Sequence, residues 1–228
     1  YYPEHIKAIG GFEIDNKYVE NKLMVPEAVP EKYAKIAAMI QKRYNLHVVK
    51  LTKKMVFDEG YGQKIFDLIN ATYSHLYGYS QLTQKQINQY IKMYLGMLDL
   101  EFVTLIEDWS GDERKLVGAG ISMPSLSIAL QKCHRGRMLP FGWWHLLRAI
   151  KFHKTKIVDL LLVGILPEYR AKGANALLFA DLIPIYQKYG IEWGETQVEM
   201  ETNTAVQGQW GPLSPIQHKR RECYIKKI

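Results

Sequence analysis

Apolar residues recur along this chain at two spacings, one typical of helices and one typical of strands. Helical spacing predicts helices over 31–44, 63–76, 84–98, 126–133, 141–152 and 173–189. Alternating or short apolar runs predict strands over 18–25, 47–51, 102–107, 115–123, 157–165, 195–201 and 220–228. The chain therefore intermixes helices and strands.

Capping and turn residues support several of these boundaries. Pro30 suits the first turn of a helix, and Thr83 with Gln86 forms the pattern of a capping box. Gly78 suits the end of a helix. The residues Ser-Gly-Asp at 110–112 suit a hairpin between the strands on either side.

The helix predicted over 141–152 has an unusual surface. It carries Trp143 and Trp144, with basic residues at every third position, His145, Arg148 and Lys151. A helix that lies in a membrane interface has this pattern, and so does a helix that covers a sheet with one wet edge. We favour the second interpretation.

The composition is that of an ordinary globular protein, with 47% hydrophobic and 23% charged residues among 228. No run of 18 apolar residues occurs, so no transmembrane segment is expected, and the first residues do not resemble a signal peptide. Cys133 and Cys223 lie far apart without the spacing of a metal site, which indicates free thiols in a reducing cytosol. We therefore expect a cytoplasmic protein without a metal.

The formal net charge is +7, and basic residues crowd the segments 134–137 and 219–227. Such clusters can bind nucleic acid or attract an anionic cofactor, and lysines on an edge strand also discourage strand pairing. Because no helix-turn-helix, RNP-like or zinc-finger pattern accompanies them, we do not expect a nucleic-acid partner.

The strongest chemical signal is the stretch 167–178, Pro-Glu-Tyr-Arg-Ala-Lys-Gly-Ala-Asn-Ala-Leu-Leu. It joins a predicted strand to a predicted helix, whose free N–H groups and dipole attract phosphate. Gly173 lets the backbone approach a ligand, while Arg170 and Lys172 add positive charge. An ordinary strand-to-helix turn with solvated basic residues is the alternative.

This stretch resembles the acyl-CoA pyrophosphate loop of the GNAT (GCN5-related N-acetyltransferase) superfamily, Arg/Gln-x-x-Gly-x-Gly/Ala. Arg170 and Gly173 fall in register, whereas Asn175 takes the third small position and could narrow the space beside the pyrophosphate. A strand, Asn203 and a short helical segment to Trp210 follow in the order of the family. The resemblance covers about residues 100 to 228.

The resemblance implies an α/β (α+β) fold of the GNAT acyl-CoA acyltransferase type, with a mixed, mostly antiparallel twisted sheet and helices on both faces. The strands 157–165 and 195–201 should be parallel neighbours that splay apart at the loop. Only one strand-like run follows Trp210 where the family has two, so 18–25 is a candidate to complete the sheet.

The resemblance also divides the chain into three parts. These are 1–26, a C-terminal remnant of a preceding GNAT-like domain or an N-terminal extension; 27–46, a linking helix; and 47–228, the GNAT-like acyltransferase domain.

Family members hold their co-substrate, acetyl-CoA or another acyl-CoA, through this strand and loop. Carried over to this chain, the binding positions are Val163, Ile165, Arg170, Ala171, Lys172, Gly173, Ala174, Asn175 and Asn203. A backbone contact to the oxyanion would come from Val163 or Ile165, and the sequence leaves both open.

Direct acyl transfer to an amine needs a base, and the leaving thiolate benefits from an acid. The candidate bases are the carboxylates of the central strands, Asp159, Glu199 and Glu201. Strand alternation puts Glu199 and Glu201 on the same face. Solvated or salt-bridged carboxylates are the alternative for each.

The acid is a departure from the family. Many GNAT enzymes have a tyrosine seven residues after the asparagine that opens the last helix, but here the count from Asn203 reaches Trp210. An indole is not a practical acid, which makes Trp210 a bystander and leaves Tyr224 or water as the acid.

Two functions follow from the resemblance. The first is an acyl-CoA-dependent N-acyltransferase, in particular an N-acetyltransferase, whose acceptor is a small-molecule or peptide amine, with a lipid amine also open. The second is a GNAT-fold domain without direct CoA chemistry, either a Fem-type transferase that uses aminoacyl-tRNA or the non-catalytic half of a tandem pair. A preceding GNAT-like domain or a homodimer is the expected protein partner. Tyrosines that either line the acceptor groove or belong to the core are Tyr73, Tyr77, Tyr79, Tyr90 and Tyr94.

Overall fold

The computed structural model describes residues 1–133 and 136–226. Both predicted basic clusters therefore fall partly outside the described residues, at His134, Arg135 and Lys227. The same holds for the end of the strand predicted to reach Ile228.

The observed elements follow the predicted ones closely. The helices are α1 (Tyr2–Ile9), α2 (Glu31–Tyr44), α3 (Lys53–Phe57), α4 (Tyr61–Tyr73), α5 (Gln84–Tyr90), α6 (Ser127–Gln131), α7 (Gly142–Ile150), α8 (Pro167–Arg170), α9 (Asn175–Lys188) and α10 (Thr204–Gln209). The strands are β1 (Glu13–Met24), β2 (Leu46–Lys50), β3 (Val103–Asp108), β4 (Lys115–Pro124), β5 (Ile157–Ile165), β6 (Trp193–Thr196), β7 (Glu199–Met200) and β8 (Ile216–Ile225). The capping box of Thr83 and Gln86 forms at the start of α5. A π-helical turn, Ile91–Leu95, then replaces the rest of the predicted helix.

Within the described residues the eight strands form one mixed sheet. Its order is β2-β3-β4-β5-β6-β1-β7, and β8 pairs with β1. Every pair is antiparallel except β5 and β6, which run parallel over Ile157–Leu160 and Trp193–Thr196. The predicted mostly antiparallel sheet with one parallel pair is confirmed.

Strand β1 completes the sheet, as the shortage of strands after Trp210 indicated. It pairs with β6 through Lys22–Met24 and with β7 through Tyr18 and Val19. Its other edge pairs with β8 over Glu13–Lys22. The first strand of the chain therefore holds three later strands.

Helices cover both faces of the sheet. Successive residues of β3 point to opposite faces, so Leu105 packs in a cluster with Ile65 of α4, while Ile106 packs in a cluster with Ile40 of α2 and Leu178 of α9. All five side chains are at most 2% exposed. The two cores fix β3, β4 and β5 in the centre and position the end of β5 described below.

The packing of α7 shows that the helix does not cover the sheet, so the favoured interpretation of its sequence was wrong. It packs mainly against α6 and buries only two small residues, Gly142 and Ala149. Trp143 and Trp144 remain 45% and 43% exposed. The apolar spacing therefore predicted the helix correctly but not which face would be covered. Among the described residues, no helix has both the length and the apolar character needed to cross a bilayer.

Candidate functional site

The candidate site lies where β5 and β6 diverge. The parallel pairing ends at Leu160 and Thr196, after which β5 continues alone to Ile165 on this side. The chain beyond β6 is interrupted at residues 197–198 and resumes as β7, which pairs with β1 instead. A cleft therefore opens beside the second half of β5, as the resemblance implied.

One cavity of about 360 Å³ lies on the loop side of this cleft. It brings together six of the nine predicted co-substrate positions. These are Val163, Ile165, Arg170, Ala171, Asn175 and Asn203. These six residues span about forty positions in the sequence. They line one cavity because β5, the start of α9 and the start of α10 converge there.

The loop after β5 does not lead directly into a helix at Gly173, contrary to the sequence prediction. One short helical turn, α8, comes first, and α9 begins only at Asn175. Gly173 lies between them with a φ of 84°, which side chains other than glycine rarely adopt. The glycine is therefore required by the turn.

The α8 turn changes the chemistry of the loop. The N–H groups of Lys172 and Ala174 bond to Tyr169 O at 3.2 Å, and that of Gly173 bonds to Arg170 O at 2.9 Å. Among the described residues, Asn175 is the position from 171 to 177 whose N–H has no backbone partner. Most of the loop N–H groups that the sequence assigned to phosphate binding are therefore already used in hydrogen bonds within the protein.

The two basic residues of the loop take different positions. Arg170 lines the cavity and donates from Nε to Ile165 O at 2.7 Å, which leaves its remaining N–H groups for a ligand. Lys172 instead lies over the rings of Tyr169 and Tyr44, at 4.3 and 5.0 Å. Of the predicted binding positions, Lys172, Gly173 and Ala174 do not line the cavity.

A second cavity of about 480 Å³ adjoins the first. The two share wall residues, Tyr73, Leu76, Val163, Asn203 and Val206. The lining of the second cavity is mainly aromatic and aliphatic, with Glu199 as its carboxylate. Of the predicted tyrosines, Tyr73, Tyr77 and Tyr79 line it, whereas Tyr90 packs with Phe66 and Tyr94.

Glu199 is the acidic residue that lines the second cavity. Its carboxylate accepts from Trp210 Nε1 at 2.9 Å and from Asn21 Nδ2 at 3.5 Å. Burial raises the pKa of Glu199 to about 7, while the bonds from Trp210 and Asn21 pull the pKa back down. A carboxyl group with this pKa can take up and release a proton near neutral pH.

Trp210 is not the bystander that its position in the sequence indicated. Its side chain is 3% exposed, packs edge-on against Phe179, and directs its only polar atom at Glu199. The tryptophan therefore holds the carboxylate and lowers the pKa that burial has raised, a role different from that of the tyrosine which the family pattern places there.

The other three catalytic candidates lie apart from the two cavities. Asp159 is half-buried beside Ser125 and Glu195, and burial raises its pKa. Glu201 forms an exposed ion pair with Arg220, with oxygen–nitrogen distances of 2.7 and 3.1 Å. Because β7 ends at Met200, strand alternation does not carry Glu201 into the cleft beside Glu199.

Tyr224 lies on β8 opposite Ile14 of β1, whereas Glu199 lies opposite Val19 of the same strand. Five residues of strand separate these positions by about 17 Å, at about 3.4 Å per residue. The Tyr224 hydroxyl donates to Glu222 instead. The structure therefore does not bring Tyr224 to the cleft.

Tyr73 is the residue whose role the sequence did not show. Its hydroxyl donates to Val163 O at 3.2 Å and accepts from Val163 N at 3.3 Å. It thereby occupies the free edge of β5 between the two cavities. Burial raises the pKa of Tyr73, so the phenol stays protonated at neutral pH. Ninety residues separate the partners, and only the position of Tyr73 on a groove-side helix hinted at this contact.

In residues 1–133 and 136–226 no group of three or more His, Cys, Asp or Glu side chains could hold a metal ion. The polar groups that line the two cavities include the carboxyl of Glu199, the phenol of Tyr73 and the guanidinium of Arg170. Together they can hold an anion at one end and move a proton at the other.

Comparison with known proteins points to one fold. No protein-family model matches the chain. A region of 175 residues is 22% identical to a bacterial ceramide synthase from Caulobacter vibrioides, and covers 73% of this chain and 43% of that protein. The chain thus matches less than half the length of this relative.

Two solved structures resemble the whole chain. One is a GCN5-related N-acetyltransferase from Sphaerobacter thermophilus, with a TM-score of 0.59, 10% identity, and coverage of 98% of this chain and 55% of that one. The other contains the GCN5-related glucosamine N-acetyltransferase region of a fungal multi-domain GH3 β-N-acetylglucosaminidase, with a TM-score of 0.56, 10% identity, and coverage of 98% and 22%. The diverging strands, the loop after β5 and these two likenesses together show that the chain has the GNAT fold.

Proposed function

We propose that this protein is an acyl-CoA-dependent N-acyltransferase, which moves an acyl group directly from a thioester to an amine. The observation that carries the proposal is Glu199, whose pKa is raised to about 7 in the wall of the second cavity, which adjoins the cavity of Arg170. The first cavity reaches Arg170, and the second is lined mainly by aromatic and aliphatic side chains.

Glu199 is the proposed base. A carboxylate with a pKa near neutrality accepts the proton that the attacking ammonium group must lose. The amine nitrogen then attacks the thioester carbonyl carbon, the new C–N bond forms, and the C–S bond breaks to release the CoA thiolate. Trp210 and Asn21 hold the Glu199 carboxylate in place throughout.

Tyr73 is the proposed acid. Its protonated hydroxyl contacts Val163 of β5, and Tyr73 lies in the wall that both cavities share. The hydroxyl can pass its proton to the leaving sulfur. The new amide nitrogen still carries a second proton, which returns to the Tyr73 phenolate through solvent, and Glu199 releases the first proton to solvent. Tyr73 takes this role in place of Tyr224, which lies on a distant part of the sheet.

Arg170 and Asn175 are the proposed contacts for the phosphate groups of acyl-CoA. The residues present fit an anion at this end of the cleft, because Arg170 keeps free N–H groups there and the Asn175 N–H has no backbone partner in the described chain. Most of the other loop amides are already bonded internally. We therefore infer that side-chain charge contributes more to binding here than the loop backbone does.

The second cavity favours an acceptor amine with a large apolar part. Tyrosine, leucine and valine side chains form most of its wall, and Glu199 supplies its carboxylate. The distant relative is a ceramide synthase by name, and a ceramide is the amide of a long-chain amine. We propose that a long-chain lipid amine is the acceptor rather than a small polar amine or a peptide.

Calorimetric titration with CoA and with long-chain and short-chain acyl-CoA tests the co-substrate. Arg170→Gln should weaken binding by about 1.5–3 kcal/mol, the range for a hydrogen bond to a charged group. Lys172→Gln is the matched control, since it removes the same charge two residues away but outside the cavity. Equal effects of the two changes would contradict a specific role for Arg170.

Mass spectrometry of the products tests the acceptor. The protein is incubated with each acyl-CoA and with a set of amines that includes a long-chain amino alcohol, a polyamine, glucosamine and a peptide. We expect an amide of the long-chain amine, and we expect Glu199→Gln to abolish its formation. Amide formation only with a small polar amine would refute the proposed acceptor but keep the acyl transfer.

One observation favours the alternative, a GNAT-fold domain without direct CoA chemistry. The internal bonds of the loop leave few amides for a pyrophosphate. If titration detects no CoA or acyl-CoA binding while the protein remains folded, this alternative replaces the first proposal. The division of the chain at 26 and 46, a preceding GNAT-like domain, a homodimer and a cytoplasmic location all remain predictions from the sequence.

A further inference from the structure

The segment from α6 to the end of α7 exposes a large apolar surface, which we name the 128–152 face. Ten large apolar side chains of this segment are exposed. They are Ile128, Leu130, Met138, Leu139, Phe141, Trp143, Trp144, Leu147, Ile150 and Phe152. Leu139 and Phe141 at the tip are 75% and 71% exposed. Apolar patches of this extent on a protein surface mark an interaction site.

The charge of the same segment has one sign. No Asp or Glu occurs between Glu113 and Asp159, whereas seven Lys and Arg residues occur between 124 and 156. Arg148 on α7 and Lys151 directly after it are exposed, and in the described part of the chain neither forms an ion pair. The 128–152 face therefore offers unneutralised positive charge beside its apolar side chains.

The helix geometry places these two properties side by side. At 100° per residue, Trp143, Leu147 and Trp144 point away from the buried Gly142 and Ala149. Lys151 lies within this outward sector, and Arg148 lies at its border.

A cavity of about 570 Å³ lies next to Arg148, between the α6–α7 pair and the end of α9. Phe152 and the basic residues Arg148, Lys132 and Lys154 contribute to its wall. Two other lysines of its wall, Lys156 and Lys188, are already paired with Glu192 and Glu101.

This combination fits a lipid surface better than a protein surface. Tryptophan prefers the boundary between lipid headgroups and acyl chains, and lysine and arginine beside it bind anionic headgroups. The core of a protein–protein interface is instead depleted of charge. A second copy of the chain would bring cations against cations, because the segment has no acidic residue to complement them.

We propose that the 128–152 face docks this protein on a negatively charged phospholipid surface. Trp143, Trp144 and the apolar tip enter the interface between headgroups and acyl chains. Arg148 and Lys151 contact lipid phosphates, and the basic cavity behind α7 has room for a headgroup. The surface is separate from the cleft of Glu199 and does not depend on acyl transfer.

Vesicle binding tests this proposal. The unmodified protein is sedimented with phosphatidylcholine vesicles that do or do not contain phosphatidylglycerol, and tryptophan emission is recorded in parallel. We expect binding and a blue shift only with the anionic vesicles, and weaker binding as salt is added.

Two pairs of substitutions separate the apolar and the charged contributions. Trp143→Ala with Trp144→Ala should lower the partition coefficient by more than about tenfold, because the apolar area entering the interface is lost. Arg148→Gln with Lys151→Gln should lower it by about 30-fold, since each surface cation contributes about fivefold. Both pairs are exposed, so circular dichroism and thermal melting should be unchanged.

The helix α3 provides matched controls. Phe57→Ala removes an exposed aromatic residue, and Lys53→Gln with Lys54→Gln removes two exposed cations, all outside the 128–152 face. These variants should bind vesicles like the unmodified protein.

Three results would overturn the proposal. They are absence of binding to anionic vesicles, equal binding by the Trp143/Trp144 variant, and equal losses in the α3 controls. Light scattering that shows a dimer converted to a monomer by the Trp143 and Trp144 changes would assign the face to self-association instead.

Discussion

Replacing Trp210 by phenylalanine provides a direct test of the proposed base. The change keeps an aromatic ring against Phe179 and removes the N–H group that donates to Glu199 at 2.9 Å. The ionised carboxylate loses its shortest hydrogen bond, whereas the neutral carboxyl loses less. The pKa of Glu199 must therefore rise above its value of about 7.

The size of the rise follows from the strength of the lost bond. A hydrogen bond to a charged group contributes about 1.5–3 kcal/mol, and each pKa unit corresponds to 1.36 kcal/mol. Glu199 is partly exposed, so the lower half of that range applies and the pKa should rise by about one to one and a half units. At pH 7 the ionised fraction would then fall from about one half to below one tenth.

The assay is kcat/KM for amide formation measured from pH 5.5 to about 9.5. A base must be ionised to act, so activity rises with pH through the pKa of Glu199. In Trp210→Phe the rising limb should move to higher pH by about one to one and a half units, and the activity at high pH should largely recover. Loss of a packing contact alone would lower the activity at every pH.

Trp109→Phe is the matched control. Trp109 also donates from its indole to a carboxylate, Glu107, at 2.8 Å, but neither residue lines the cleft. If the limb stays in place in Trp210→Phe, Glu199 is not the base whose ionisation limits the reaction. If both variants shift the limb equally, the shift does not report on the site.

Three further predictions concern stability and the acid. Glu199→Gln should raise the free energy of unfolding at pH 8 by about 1–3 kcal/mol, with no gain below pH 4.5. The folded pKa of about 7 lies above the ordinary 4.5, so the unmodified protein loses stability as pH rises between them, and urea unfolding at several pH values should show this. Tyr73→Phe should lower kcat by about 10²-fold with a CoA thioester but less with a thioester whose thiol is more acidic, and an equal loss with both would exclude Tyr73 as the acid. Gly173→Ala should destabilise the fold by more than about 1 kcal/mol, because its φ is 84° and the added carbon would meet Ile36 at 3.2 Å. Gly111→Ala, which has no positive φ and whose added carbon would make an ordinary contact of 3.8 Å with Glu113 O, should melt like the unmodified protein.

The sequence predicted the elements well because their signals are local. Apolar spacing, the Thr83 capping box and the strand 157–165 each depend on residues within one turn or one run, and all three were confirmed. The resemblance of the loop to the GNAT pattern supplied the mostly antiparallel sheet and its one parallel pair. Arg170 and Glu199 were both candidates before their positions were seen.

The site could not be predicted in the same way because its contacts join distant parts of the chain. Tyr73 reaches Val163 across 90 residues, and Asn21 reaches Glu199 across 178. The internal bonding of the loop depends on the short turn α8, which no periodicity signals in four residues. The exposed face of α7 was misjudged because spacing shows which residues share a face and not what covers it.

The pairing of β1 has a consequence for how the protein folds during synthesis. Its partners β6, β7 and β8 all lie between residues 193 and 225, so β1 is synthesised well before the strands with which it pairs. Closing a loop of this length costs conformational entropy before the strand pairing contributes any favourable free energy, and this cost slows folding. The β2–β5 hairpins can assemble while β1 is still unpaired. We therefore expect a late step in which residues 13–24 dock, and with them Asn21 beside Glu199, so that the cleft forms after the β2–β5 part of the sheet.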